Sequence, residues 1–197
     1  PPSGITWYGE SFRTTRNRSF FFDFTNRIES EPVNVYTDLA VRAFSQGLAA
    51  YSMNGINQAS VTTPSTTVYI YSDYAKRLSF PNNQQTVSGQ DINLDITFTH
   101  ASSSADMWLN YISLHARSEL RFSNGQMMFR DRNSIGNNVV KYQIANSGDM
   151  QVFDVTEPAN MVKMTLDGST TKEFTAAATD LHTFIAFDGS TLLAPQA

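Results

Sequence analysis

Apolar and polar residues alternate along much of the chain, which is the pattern of a β-strand with one buried face. In residues 92–99, four apolar side chains alternate with four polar ones: Ile, Asn, Leu, Asp, Ile, Thr, Phe and Thr. The segments 20–24, 33–44, 68–71 and 108–114 follow the same alternation. No segment of the sequence carries the apolar stripe of a three-turn amphipathic helix. The pattern therefore predicts an all-β chain.

Turn signals separate these segments and indicate how the strands are organised. Asn54-Gly55 and Asn124-Gly125 each predict a two-residue hairpin turn, because both residue types tolerate a positive φ angle. Many short strands separated by turns are typical of a β-sandwich. We therefore expect a jelly-roll-like antiparallel β-sandwich over residues 5–122. A smaller β-rich subdomain should follow over residues 126–190 and pack against it, with the polar segment 131–138 as a candidate linker.

The alternation also predicts which side chains face the core. In the strand that contains Phe21, apolar residues also occupy neighbouring positions. The sequence therefore leaves open whether this strand is buried on one face or on both. The residues expected to face inward are Phe20, Phe22, Phe24, Val41, Ile70, Ile92, Leu94, Ile96, Phe98, Trp108, Tyr111, Val152, Ile185 and Phe187.

Composition excludes several classes of function. With 14 basic and 18 acidic residues the net charge is −4, so charge gives no reason to expect nucleic acid or an anionic membrane as a partner. The sequence contains no cysteine, which excludes disulfides, thiolate metal sites and a cysteine nucleophile within these residues. No apolar run is long enough for direct membrane insertion. Because the chain begins at Pro1-Pro2, we expect either that a leader has been removed or that this is a piece of a longer protein.

The sequence offers little for catalysis or for metal binding. It has no Gly-X-Ser-X-Gly or phosphate-binding glycine motif, and its three histidines lack the spacing of a metal site: His100, His115 and His182. Two pairs of carboxylates have oxygen atoms suited to calcium, namely Glu29 with Glu31 and Asp91 with Asp95. The simpler interpretation of both pairs is that they lie on a solvent-exposed strand face. We therefore expect no catalytic residue, no cofactor and no metal.

Carbohydrate binding is a separate hypothesis, because β-sandwiches often bind sugars through exposed aromatic rings. Trp7 and Trp108 lie in short or alternating strands, so we expect both in the core rather than at a binding surface. The aromatic residues that could stack against a sugar are Trp7, Tyr8, Tyr69, Tyr71, Tyr74 and Trp108.

One succession of motifs resembles a known family over nearly the whole chain. The two most specific segments are Trp-Leu-Asn-Tyr-Ile at 108–112 and Val-Phe-Asp-Val-Thr at 152–156. Further segments, in order, are Trp7-Tyr8-Gly9-Glu10, the aromatic strand 20–24, residues 40–45, Met53-Asn54-Gly55, residues 126–131 and residues 184–188. This order resembles the region before the catalytic domain in the PorU-type sortases of the Bacteroidetes type IX secretion system, which are gingipain-like cysteine peptidases.

The resemblance implies a parent protein that is exported and associated with the outer membrane at the cell surface. Such parents are peptidases that remove the C-terminal sorting domain of secreted cargo and join the new carboxyl end to a surface lipopolysaccharide. Their catalytic cysteine and histidine have no counterpart here, so the resemblance implies that the catalytic domain begins after Ala197 and that this chain is not an enzyme by itself.

We therefore expect a non-catalytic accessory module that positions or stabilises the downstream catalytic domain of the same polypeptide. Other secretion-system components and secreted cargo are further candidate partners. Two alternatives stay open. One is a stand-alone carbohydrate-binding module of a Bacteroidetes surface protein, and the other is a structural spacer without a ligand.

Overall fold

The regular structure is almost entirely β-strand, as the alternation predicts. The computed structural model describes residues 6–69, 71–80 and 83–190, and over these ranges it contains fourteen strands, one short 3-10 turn and no α-helix. No helix among these residues is therefore long and apolar enough to cross a membrane. The prediction of an all-β chain is confirmed. The chain divides into two compact units, Pro1–Ser118 and Glu119–Ala197, so the division falls a few residues before the boundary expected from the sequence.

The first unit contains eight strands in two antiparallel sheets. In one sheet the order is β1-β7-β3-β4. In the other, β8 pairs along the length of β2, while β5 and β6 pair with successive parts of the opposite edge of β2. The strands are β1 Asn17–Phe22, β2 Val33–Arg42, β3 Leu48–Met53, β4 Ile56–Thr62, β5 Lys76–Leu78, β6 Asn83–Gln85, β7 Ile92–Thr99 and β8 Asp106–His115.

Side chains from both sheets fill one shared hydrophobic core, which makes the first unit a β-sandwich, as predicted. Leu39 and Val41 come from β2, and Tyr51, Ile96 and Phe98 come from the facing sheet, all of them buried. Of the residues predicted to face inward, the following are buried: Val41, Ile92, Leu94, Ile96, Phe98 and Val152. Three more pack against the core while partly exposed, namely Phe20, Phe22 and Phe24. Ile70 lies outside the described residues.

A β-bulge changes the inward-facing positions of β8. Asp38 of β2 lies opposite Tyr111, whereas the next residue, Leu39, lies opposite Leu109, so β8 contains one extra residue at this point. Before the bulge the odd-numbered residues of β8 point into the core, and after it the even-numbered residues do. As a result, Trp108 is only half-buried and Tyr111 is exposed, and the prediction that both face the core is wrong.

The two predicted hairpin turns have different outcomes. Asn54 and Gly55 both have positive φ angles and connect β3 to β4, which pair as a hairpin. Asn124 and Gly125 also have positive φ angles. The strand after them, however, pairs with the last strand of the chain, so the second hairpin prediction is wrong. A turn signal fixes the local backbone, but it does not choose the pairing partner of the strand that follows.

The second unit contains six strands in two antiparallel sheets, of order β12-β11-β14-β9 and β10-β13. The strands are β9 Gln126–Phe129, β10 Asn137–Ile144, β11 Gln151–Asp154, β12 Val162–Lys163, β13 Lys172–Ala178 and β14 Phe184–Phe187. The candidate linker 131–138 lies inside this unit, where Asp131 caps the 3-10 turn Arg132–Ser134 and β10 begins. The core of the unit is a cluster of aromatic rings, namely Phe129, Tyr142, Phe174 and Phe184.

In the last strand, β14, the residues that point into the core are not the two that were predicted. Phe184 and Ala186 are fully buried, whereas Ile185 and Phe187 are half-buried on the other face of the sheet. All four residues of β14 are apolar, so alternation carries no information about which pair faces the core. The prediction that Ile185 and Phe187 face inward is wrong, and it leaves two large apolar side chains on the outer face.

Candidate functional site

The outer face of the β2–β8 sheet carries a charged residue that is almost completely buried. Alternate residues of β2 such as Leu39 and Val41 point into the sandwich, so Asp38 belongs to the opposite face. Its side chain is nevertheless only 2% exposed. A buried carboxylate must find hydrogen-bond donors to stay ionised.

Two side chains from neighbouring strands supply those donors. Nε of Arg77 donates to Oδ1 of Asp38 at 2.5 Å, and Nδ2 of Asn110 donates to Oδ2 at 2.8 Å. Arg77 comes from β5, directly opposite Ala40, and Asn110 is the extra residue of the β8 bulge. The bulge therefore changes which residues of β8 face the core, and it also places the side-chain amide of Asn110 beside Asp38.

The environment keeps Asp38 and Arg77 ionised. Burial by itself would raise the pKa of Asp38, but hydrogen bonds from Arg77 and Asn110, together with the charge of Arg77, outweigh it and lower that pKa. In return, the hydrogen bond to Asp38 and the charge of Asp38 raise the pKa of Arg77, with smaller contributions from Tyr8 and Tyr111. The pair is therefore a fixed ion pair with no net charge at neutral pH.

This ion pair lines an open cleft with a volume of about 370 Å³. That volume falls within the range of small-molecule sites, roughly 300–1,000 Å³. The residues around the cleft include Tyr36, Asp38, Arg77, Ser79, Phe80 and Tyr111. Tyr111 is 47% exposed, and the side chain of Arg77 is 73% exposed. The cleft thus combines a polar anchor with tyrosine rings.

Aromatic side chains continue the same face beyond the cleft. Trp108 pairs with Ala40, the residue that lies opposite Arg77 on the other edge of β2. The Trp108 and Tyr74 rings lie 6.4 Å apart between centroids, and the guanidinium of Arg42 lies 4.0 Å from the centre of the Tyr74 ring. The arginine therefore makes a cation–π contact with Tyr74.

The six aromatic residues of the carbohydrate hypothesis are more exposed than the sequence predicts. Trp7 is 77% exposed and Trp108 is half-buried, so the prediction that both belong to the core is wrong. Tyr8 is half-buried, and the remaining three are exposed: Tyr69, Tyr71 and Tyr74.

Protein groups engage three of the four carboxylates in the predicted pairs, Glu29, Glu31 and Asp95, whereas Asp91 is exposed. Glu29 accepts hydrogen bonds from the Gly89 N–H and the Gln90 side chain, which, in that order, lower its pKa. Glu31 lies 3.6 Å from Arg117, and Asp95 accepts a hydrogen bond from Ser19. Over residues 6–69, 71–80 and 83–190, no group of three or more acidic or histidine side chains is placed to hold a metal ion.

Each of the three histidines has a hydrogen-bonding partner within its own unit. His100 contacts Ser45, and His115 contacts Ser113. In the second unit, Nδ1 of His182 lies 2.5 Å from Oδ2 of Asp154. Asp154 also accepts hydrogen bonds from Thr156. Burial would raise the pKa of Asp154, but the bonds from Thr156 and His182 outweigh it and lower that pKa. The pair ties the end of β11 to the segment that leads into β14.

The lowered pKa of Asp38 predicts a specific acid sensitivity. Because its folded-state pKa lies below the unfolded value of about 3.9, the ionised group contributes stability above about pH 4, and this contribution is lost as the pH falls through the folded-state pKa. In urea unfolding at a series of pH values, the Asp38→Asn variant should be less stable than the wild type near neutral pH. This difference should shrink as the pH falls below about 4 and through the folded-state pKa of Asp38. A difference that stays constant with pH would contradict the assignment.

Comparison with known proteins identifies a similar fold but no family for this chain. No known family model and no curated protein matches the sequence. Among solved structures, the chain is similar to the crystal structure of dimeric latent PorU from Porphyromonas gingivalis, with a TM-score of 0.83 and 21% sequence identity over 98% of this chain. The chain has the fold of one segment of PorU. It spans only 19% of that PorU chain.

A second solved structure is much less similar. It is a xanthan lyase from Paenibacillus, with a TM-score of 0.34, 14% identity, and coverage of 89% of this chain and 21% of that one. A score this low does not indicate a common fold. The comparison with PorU is therefore the one that informs the fold of this chain.

Proposed function

We propose that this chain is a non-catalytic accessory module of a PorU-like sortase that is exported and associated with the outer membrane. In this proposal it positions or stabilises the catalytic domain that follows in the same polypeptide. The observation that supports it most is the agreement of fold with PorU over 98% of this chain but only 19% of the PorU chain. A cysteine peptidase needs a thiolate nucleophile, and no cysteine occurs in these 197 residues.

The outer face of the four-stranded sheet in the second unit is the proposed contact surface. Ile185 of β14 pairs with Met128 on one side and with Phe153 on the other, so the three side chains form a row across this face. The Phe187 ring stacks on Phe153, with 5.8 Å between ring centroids. Contiguous exposed apolar side chains commonly mark an interaction surface. Interfaces between neighbouring domains of one chain usually measure about 600–1,500 Å².

The second candidate function is a stand-alone carbohydrate-binding module of a Bacteroidetes surface protein. The exposed rings of Trp7 and Tyr74 favour it, because sugar binding needs aromatic faces that reach solvent. The sequence that follows Ala197 discriminates between the two candidates. The accessory role requires a gingipain-like domain with a cysteine and a histidine in that region.

Deletion of residues 6–190 from the full-length parent tests the accessory role. We expect a lower yield of folded protein or slower removal of the C-terminal sorting domain from cargo, measured against the intact parent. The isolated chain should cleave no cargo peptide, since it lacks a thiol. If the remaining protein folds, localises and processes cargo at the full rate, the chain is a passive spacer.

A further inference from the structure

The cleft around Asp38 and Arg77 has no part in the proposed docking role, which uses only the second unit. We propose that this cleft binds a neutral saccharide, as a unit of an oligosaccharide or polysaccharide, with Arg77 as the hydrogen-bonding anchor and Tyr111 as the stacking ring. The proposal rests on the first unit alone and does not depend on the accessory function.

Arg77 is held in a fixed orientation by its contact with Asp38. Its Nε atom donates to Asp38, and Asp38 is itself held by Asn110, so the guanidinium plane is anchored at one edge. Within the described part of the chain, no protein acceptor takes up its two terminal nitrogens, and the side chain as a whole is largely exposed. A planar pair of N–H donors matches two adjacent oxygen atoms of a ligand, as neighbouring hydroxyl groups on a sugar ring provide.

Electrostatics favour a neutral ligand over an anion. Asp38 and Arg77 cancel each other's charge, so the donors of Arg77 face the cleft without a net positive field. The Asp38 carboxylate lies against Nε of Arg77, so it offsets part of the attraction that the exposed guanidinium has for an anion. A ligand with hydroxyl groups needs donors and acceptors but no net charge. The hydroxyl groups of Ser79 and Tyr111 line the cleft, and each can both donate and accept a hydrogen bond.

Aromatic rings lie beside Arg77 in the cleft. Tyr111 and Tyr36 line the cleft together with Phe80, which is buried. The C–H faces of a sugar ring pack well on exposed aromatic faces. Trp108 and Tyr74 extend the aromatic surface along the same face, where further units of a chain of sugars could lie.

Binding to an array of oligosaccharides tests this proposal. The array holds neutral hexose and N-acetylhexosamine oligosaccharides together with anionic uronate oligosaccharides. The strongest binder is then titrated calorimetrically into the 197-residue chain. We expect a neutral oligosaccharide to bind. Tyr111→Ala should weaken its binding at least about tenfold because the stacking ring is lost. Arg77→Lys should do the same, because lysine keeps the ion pair with Asp38 but cannot present two coplanar donors.

The matched control is Phe21→Ala, which removes an exposed aromatic ring from the other sheet and should leave saccharide binding unchanged. Thermal unfolding of each variant verifies that it is folded, and Arg77→Lys alone decides the question if Tyr111→Ala is unstable. The proposal is overturned if no saccharide on the array binds, if only uronates bind, or if binding survives both changes in the cleft. Binding of an unstructured peptide at the cleft without any saccharide binding would also overturn it.

Discussion

Replacing Phe184 by alanine should lower the free energy of unfolding of the second unit by about 3–5 kcal/mol, the usual cost of removing a buried aromatic ring. Phe184 is completely buried. Its ring centroid lies 5.5 Å from that of Phe129 and 5.1 Å from those of Tyr142 and Phe174. The substitution would leave a cavity in the middle of this cluster, because three large neighbours cannot all move to fill it.

The matched control is Phe187→Ala in the same strand. Phe187 is half-buried on the outer face, where its ring stacks on Phe153, so its removal should cost only about 1 kcal/mol. Chemical denaturation followed by far-UV circular dichroism measures the free energy of unfolding of both variants. The unfolding of each unit is fitted as a separate transition. A larger loss for Phe187→Ala than for Phe184→Ala would show that the face assigned to β14 is wrong.

The second large effect is expected at Arg27, which is buried in the first unit although it is charged. Its guanidinium donates to three backbone carbonyl oxygens, those of Val87 at 2.5 Å, Gln90 at 3.3 Å and Gly89. Arg27→Ala would leave these carbonyls without their donor and open a cavity. We expect the free energy of unfolding to fall by about 3 kcal/mol, since a hydrogen bond from a charged group contributes about 1.5–3 kcal/mol.

Arg13→Ala provides the comparison for Arg27→Ala. Arg13 is exposed in the same unit, so losing its side chain should change stability by no more than about 0.5 kcal/mol. The two variants remove the same charge, and urea unfolding under identical conditions separates the effect of charge from that of the buried contacts. Equal stability of the two variants would mean that Arg27 does not hold the 87–90 segment in place.

The sequence predicts the fold best where one strand face is apolar and the other polar. Ile92, Leu94, Ile96 and Phe98 are all completely buried, as their alternation indicates. In β14 every residue is apolar, so hydrophobicity cannot assign the faces and the packing of the aromatic cluster decides them. In β8 the inserted residue at the bulge shifts the alternation, and no turn or glycine signal in the sequence marks that position.

The candidate cleft could not be predicted from local pattern because its parts come from distant positions. Asp38 is 39 residues from Arg77 and 72 from Asn110, so only strand pairing brings the three side chains together. The single local signal is the presence of an acidic residue within an otherwise largely apolar strand. The aromatic residues were identifiable as candidates, but their exposure depends on which face of each strand is covered.

Cargo processing by the full-length parent with Met128→Asp tests the accessory role most directly. Met128 is 65% exposed in the apolar row of the second unit, and Val139, on the β10–β13 sheet, is 62% exposed and serves as the control position. An aspartate in a docking surface is strongly unfavourable because its charge would be desolvated without a partner. We predict that Met128→Asp slows removal of the cargo C-terminal domain at least about tenfold while Val139→Asp processes cargo at the wild-type rate, each variant chain unfolding at the wild-type temperature. Wild-type processing by a folded Met128→Asp parent would contradict the account.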